Sequence, residues 1–241
     1  MNDLPSAHPP DPVAQRIQLN WQQVRDQVRS ATAAAGRPPD SVRIVGVSKY
    51  VDAQTTAWLV EAGCHDLGES RPQLLWKKAD EMARGDAIRW HMIGHVQTNK
   101  IRRLLAYQPL IHSVDSQRVL QAIDTEAQQQ GRVIDVLLEV NISGDPTKTG
   151  LSPDQLKQLV AGADRPGVRV AGLMAMAGWG TEQAEAAEQF QAVARLRDEL
   201  QSASGVPLPE LSMGMSGDYQ AAIAAGATFV RIGSALFEGV R

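Results

Sequence analysis

Three features of this sequence are suited to chemistry: a lysine directly behind an apolar run, an arginine inside another run, and two segments rich in glycine and serine. In VRIVGVSKY, Lys49 stands where the valines end. An amine at the mouth of a buried strand can be desolvated, which lowers its pKa and frees it to form a Schiff base with an aldehyde. The same lysine can instead snorkel to solvent, and spacing alone does not choose between the two. In ATFVRIGS, alternation puts Phe229 and Arg231 on one face and Val230 and Ile232 on the other. If the aliphatic face meets other elements, Arg231 points inward and needs an acceptor, since a buried unpaired guanidinium is costly. Glu139, in LLEVN, is a candidate partner for it. Ser212 to Gly217 and Gly233-Ser234 offer backbone N–H groups and hydroxyls of the kind that bind a phosphate, or that cap a helix through Ser216 or Ser234.

The elements that must hold these residues follow from periodicity. Residues 1–12 carry four prolines and few apolar side chains, so a flexible arm is expected there, followed by one domain over 13–241. Val13, Ile17, Trp21, Val24 and Val28 recur at helical spacing, and that stretch stops at Gly36. Eight short apolar runs come next, at 42–48, 65–68, 88–94, 110–114, 134–142, 168–174, 209–215 and 228–233. Helical stretches separate them at 53–62, 70–83, 97–106, 115–129, 152–164, 181–202 and 217–225. Eight strands joined by seven crossovers predict an α/β fold, a (β/α)8 TIM barrel with an extra N-terminal helix. An open doubly wound sheet is the runner-up, although no glycine-rich dinucleotide fingerprint follows the first strand.

In such a barrel the site forms at the carboxyl ends of the strands. Those exits carry Ser48-Lys49, Gly68 to Arg71, His91 with Gly94 and His95, His112 to Asp115, Glu139 with Asn141 and Ser143, LSMGMSGD, and VRIGS. The loops after the seventh and eighth strands are where barrels often place a phosphate. An amine at the first strand's exit, a phosphate cradle at the last two and an arginine between them suit a cofactor with an aldehyde, a phosphate and a ring acceptor, and pyridoxal 5′-phosphate has all three. His91, His95 and His112 can serve as acid/base groups or as hydrogen-bonded structure, and they show no metal-ligand spacing. Tyr50 adjoins Lys49 and is expected to pack behind the first strand.

The motifs VGVSKY, GESRPQ, WHMIGHVQTNK, HSVD, VNISGDPTKTG, GLMAM, LSMGMSGD and VRIGSALFEG occur in that order, and by them the sequence resembles the pyridoxal phosphate homeostasis proteins, relatives of the alanine racemase barrel domain. The resemblance implies that Lys49 is the Schiff-base lysine, that Ser212, Met213, Ser216, Gly233 and Ser234 surround the phosphate, and that Arg231 faces the pyridine nitrogen. Ser70 stands where the family usually has asparagine, near the cofactor ring, and with His91 it completes the expected cofactor-binding set. The resemblance also implies cofactor supply without an established reaction.

Composition narrows the partners. A net charge of −3 and the lack of a long basic run argue against nucleic acid and anionic membranes. One cysteine, Cys64, allows no internal disulfide and reads as a small buried hydrophobe. No run is long and apolar enough for a membrane span, so a cytoplasmic protein is expected, and a monomer, since nothing follows the barrel that could serve as a dimerising domain. A cofactor carrier that delivers to apo-enzymes ranks first, a pyridoxal-phosphate-dependent amino-acid racemase second, and a cofactor-free Schiff-base aldolase third.

Overall fold

The computed structural model describes residues 11–82, 87–142, 149–162, 165–178 and 183–240. The expected arm over 1–12 lies almost wholly outside them, as does Ser143. The first helix, α1 (Pro12–Ala34), starts where expected: the Asp11 carboxylate accepts from the Val13 N–H at 2.8 Å and proline occupies the first turn. Its stripe of Ile17, Trp21, Val24 and Val28 is buried.

Eight strands follow: β1 (Arg43–Val47), β2 (Asp66–Glu69), β3 (Arg89–Met92), β4 (Leu110–Val114), β5 (Ile134–Glu139), β6 (Val168–Met174), β7 (Glu210–Met215) and β8 (Phe229–Ile232). All pairings are parallel, and the sheet closes where β1 pairs with β8, Val45 opposite Arg231. That closure rules out the open doubly wound sheet. The crossovers carry α2 (Ala53–Glu61), α3 (Pro72–Met82), α4 (Ile101–Leu104), α5 (Gln117–Gln129), α6 (Pro153–Val160), α7 (Gln183–Ser204) and α8 (Tyr219–Ala224). The crossover after β3 is broken: 3₁₀ turns at 98–100 and 105–107 flank a single α turn where one helix was expected.

Alternation along the strands sorts side chains into two layers. The outward set, including Ile44, Leu67, Met92, Ile111, Leu138, Leu173, Leu211, Val230 and Ile232, joins the helices in one large hydrophobic cluster. Helix α2 lies so close to β1 that a Cβ on Gly46 would meet Cys64 Sγ at 2.8 Å and Leu59 at 2.9 Å. Cys64 is a buried hydrophobe as expected, its thiol pushed up to about 12 by burial. The inward set is unusually polar for a barrel of this type: Asp66, His91, His112, Ser212 and Arg231 are all buried.

Candidate functional site

Lys49 sits two residues beyond the end of β1, in a turn, half-buried. Its Nζ lies over the Tyr50 ring, 5.0 Å from the centroid. Tyr50 is 90 % exposed, which corrects the expectation that it packs behind β1. Strand alternation ends at Val47, so nothing in the turn directs Tyr50 toward the helices.

Behind Lys49 lies a compact buried ion pair. Lys78, on α3, donates to the backbone carbonyl of Ser48 at 2.6 Å and to Glu69 Oε1 at 2.6 Å. The Ser48 hydroxyl donates to the same Oε1 at 2.7 Å. Ser48, Glu69 and Lys78 are nearly inaccessible, and Glu69 Oε2 has no partner. Lys78 was not anticipated, though its signal is visible: it stands three residues after Leu75, on the apolar stripe of α3.

The exits of β2, β3 and β4 are bound to one another. A Cβ on Gly94 would fall 2.3 Å from the Ser70 carbonyl oxygen, so only glycine lets the two backbones approach this closely. Ser113 Oγ donates to the Gly94 carbonyl at 2.6 Å. At the same rim His95 Nδ1 lies 2.7 Å from Asp115 Oδ2. Half-buried Ser70 is held at the exit.

Arg231 is 4 % exposed and faces inward, as its alternation predicts. Its NH1 donates to the Ser212 carbonyl and to Ser212 Oγ, both at 2.7 Å, and NH2 donates to the Ala175 carbonyl at 3.0 Å. The expected ion pair with Glu139 is absent: Glu139 Oε1 accepts from Thr149 at 2.6 Å instead. Among the described residues no carboxylate forms an ion pair with Arg231, and its hydrogen bonds run from NH1 and NH2. Burial lowers its pKa to about 10, with Asp218 and Glu139 opposing from farther off, so it remains cationic at neutral pH. Burial pushes the Glu139 carboxyl up.

The exits of β7 and β8 meet where Ser216 Oγ accepts from the Gly233 N–H at 3.4 Å. Ser216 and Gly233 are half-buried, Ser234 is exposed, and a Cβ at Gly217 would meet open space. This corner therefore brings the Ser216 hydroxyl and the Gly233 N–H together beside the exposed Ser234. The Met213 side chain is fully buried in the outer hydrophobic cluster, so its backbone is what can serve the site.

His91 also departs from expectation. Its Nε2 lies 2.9 Å from Asp66 Oδ1 and its Nδ1 2.9 Å from His112 Nε2, so neither nitrogen is free for a ligand. The ring lines a cavity of about 620 Å3 with Arg43, Asp66, Arg89 and Phe229, all from the starts of strands, at the amino-terminal end of the barrel. His91 is thus excluded from direct contact at the carboxyl end. Asp66 starts a strand, away from the exits where the chemistry of such a barrel is expected. Burial alone would push its carboxyl up, but hydrogen bonds from Arg89 and His91 hold it well below the usual carboxylate range.

A closed parallel barrel with a lysine at the first exit and an inward arginine on the last strand defines the class: residues 15–240 match the family described as alanine racemase, N-terminal domain. Within that class the chain belongs to the pyridoxal phosphate homeostasis protein family. A member from Aquifex aeolicus strain VF5 is 38% identical over 215 residues, covering 89% of this chain and 94% of the relative. A member from Pseudomonas aeruginosa is 38% identical over 222 residues, covering 92% and 94%. The structure of PipY from Synechococcus elongatus PCC7942, with PLP bound, superposes with a TM-score of 0.81 at 32% identity, covering 92% of this chain and 99% of PipY. Alanine racemase from Corynebacterium glutamicum, at 14% identity and a TM-score of 0.70, shares the fold alone, and the matched region is 60% of that enzyme.

Proposed function

We propose that this chain binds pyridoxal 5′-phosphate and serves its homeostasis by holding the cofactor and delivering it to apo-enzymes. The observation that carries this reading is Arg231: an inward, buried cation with no carboxylate partner among the described residues fits a site completed by a ring nitrogen. The other donors suit the rest of the cofactor. Lys49 supplies the amine that holds the aldehyde carbon as a Schiff base. Ser216, Gly233 and Ser234, with the Ser212 and Met213 backbone, supply the phosphate contacts, and Ser70 stands beside the ring. The name of the relatives and the PLP-bound PipY structure support the same reading.

Bound pyridoxal phosphate would supply an electron sink. Arg231 weakens that sink, because a guanidinium cannot readily give its proton to the ring nitrogen. That favours storage over turnover. We place the protein in the cytoplasm as a monomer. Among the described residues no helix is long and apolar enough to cross a membrane. Size-exclusion chromatography with light scattering tests the monomer.

The carrier role is tested by mixing loaded protein with an apo-transaminase and following the rise of transaminase activity. Activation faster than release of the cofactor into free solution supports direct delivery. Activation no faster than free release overturns the carrier role and leaves a storage protein.

A further inference from the structure

Among the described residues Arg231 has no carboxylate in ion-pairing contact, yet a chain of hydrogen bonds that starts on it ends on one. From Arg231 NH1 the chain runs 2.7 Å to Ser212 Oγ, then 2.8 Å to His112 Nδ1. It continues 2.9 Å from His112 Nε2 to His91 Nδ1, and 2.9 Å from His91 Nε2 to Asp66 Oδ1. Arg89 closes the far end, donating from Nε and NH2 to the two Asp66 oxygens at 2.7 and 2.6 Å.

The inventory of donors gives this chain a direction. Arg231 only donates, so the Ser212 hydroxyl accepts from it and offers its own proton to His112 Nδ1. His112 therefore carries its proton on Nε2 and donates to His91 Nδ1. His91 in turn carries its proton on Nε2 and donates to Asp66, which as a carboxylate only accepts. Every link then has one donor and one acceptor, provided both imidazoles are neutral. A second proton on His91 would set two N–H groups against each other across the His91–His112 contact. Burial pushes the pKa of both rings below the ordinary histidine value, that of His112 well below, in agreement. The Phe229 ring meets each imidazole edge-on, with centroids at 5.5 Å, and fixes their planes.

We infer that His112 and His91 are positioning residues for Arg231. With Ser212 they carry the influence of the Asp66 charge across the barrel interior and fix the direction in which the guanidinium points. This rests on the reading of Arg231 as the group that faces the cofactor ring. It couples the two barrel ends, because Asp66 and the exposed Arg89 belong to the amino-terminal cavity, opposite the candidate cofactor site.

Imidazole nitrogen NMR of the wild-type protein tests the chain directly. The expected result is a neutral Nε2–H tautomer for both His91 and His112; a protonated Nδ1 on either ring overturns the inference. Two variants test its effect on the cofactor site. In His112→Gln the amide can still accept from Ser212 and donate to His91, whereas in His112→Leu it cannot. Titration with pyridoxal phosphate should give a dissociation constant about tenfold weaker for His112→Leu and within about twofold of wild type for His112→Gln. The visible absorption maximum should shift only in the leucine variant. Wild-type affinity and spectrum in His112→Leu overturn the inference. If that variant does not fold, the NMR result decides. Arg231→Gln separates the two readings: if it too binds like wild type, the ring-facing assignment of Arg231 fails. If it alone weakens binding, only the role of the histidines fails.

Discussion

Two polar assemblies support the two ends of the proposed cofactor, and they work by different physics. The one behind Lys49 is compact: Lys78, Glu69 and Ser48 form an ion pair between the sheet and α3, cut off from water. The one behind Arg231 is extended: Ser212, His112 and His91 are neutral groups in series between a cation and a carboxylate. A compact pair acts by direct charge and is intolerant of losing either member, because the survivor is left buried and uncompensated. A chain acts through hydrogen-bond direction, so each link matters less to folding and more to aim. The fold thus anchors the amine rigidly and orients the guanidinium.

The sharpest way to break this contrast is Lys78→Met, which leaves Glu69 buried without its cation. It should cost about 3–5 kcal/mol of stability in denaturant unfolding. Adding Glu69→Gln should recover a large part of that loss. A stable single variant would mean that the pair is not what anchors β1. Next comes Arg231→Gln, which should weaken retention of pyridoxal phosphate by about 1–3 kcal/mol in equilibrium titration, with a smaller effect on folding than Lys78→Met.

The chain also predicts a pH dependence. Burial depresses the folded pKa of His91 and His112, so the unfolded chain takes up protons first as pH falls below about 6.5. Stability should therefore be full above that value and fall in acid, by up to about 1.4 kcal/mol per pH unit for each ring. Asp66, whose folded pKa is depressed, adds a further loss only when pH drops below the ordinary carboxylate range. Unfolding midpoints from pH 7.5 to 5 check this, and a flat profile would remove the neutral histidines from the account. The smallest effect belongs to Tyr50→Ala: the ring is exposed, so stability should change by less than about 0.5 kcal/mol. A larger change would show that Tyr50, and not the ion pair, holds the Lys49 turn.

Much of this was legible in the sequence because alternation is a local rule. The eight apolar runs correspond to the eight strands, and the pairing of Val230 with Ile232 and Phe229 with Arg231 foretold which faces would be buried against helices and which inside the barrel. The chain through His112, by contrast, joins residues 100 apart, His112 to Ser212, which no local pattern reveals. Asp66 escaped notice because it starts a strand, and Lys78 because a lysine in a helix is ordinarily read as solvated. The motif does not say which part of Met213 would face the site: its side chain alternates outward from Ser212 into the hydrophobic cluster, which leaves the backbone.

The central claim is that Lys49 holds pyridoxal 5′-phosphate. It is tested by the absorption spectrum of the purified protein, supplied with cofactor, before and after borohydride, followed by mass analysis of the peptides. The account predicts a visible band that reduction abolishes, with the pyridoxyl mass fixed on Lys49 in the wild type and on no residue in Lys49→Ala. A band and a reduced adduct that persist in Lys49→Ala, or the absence of any band with added cofactor, would contradict it.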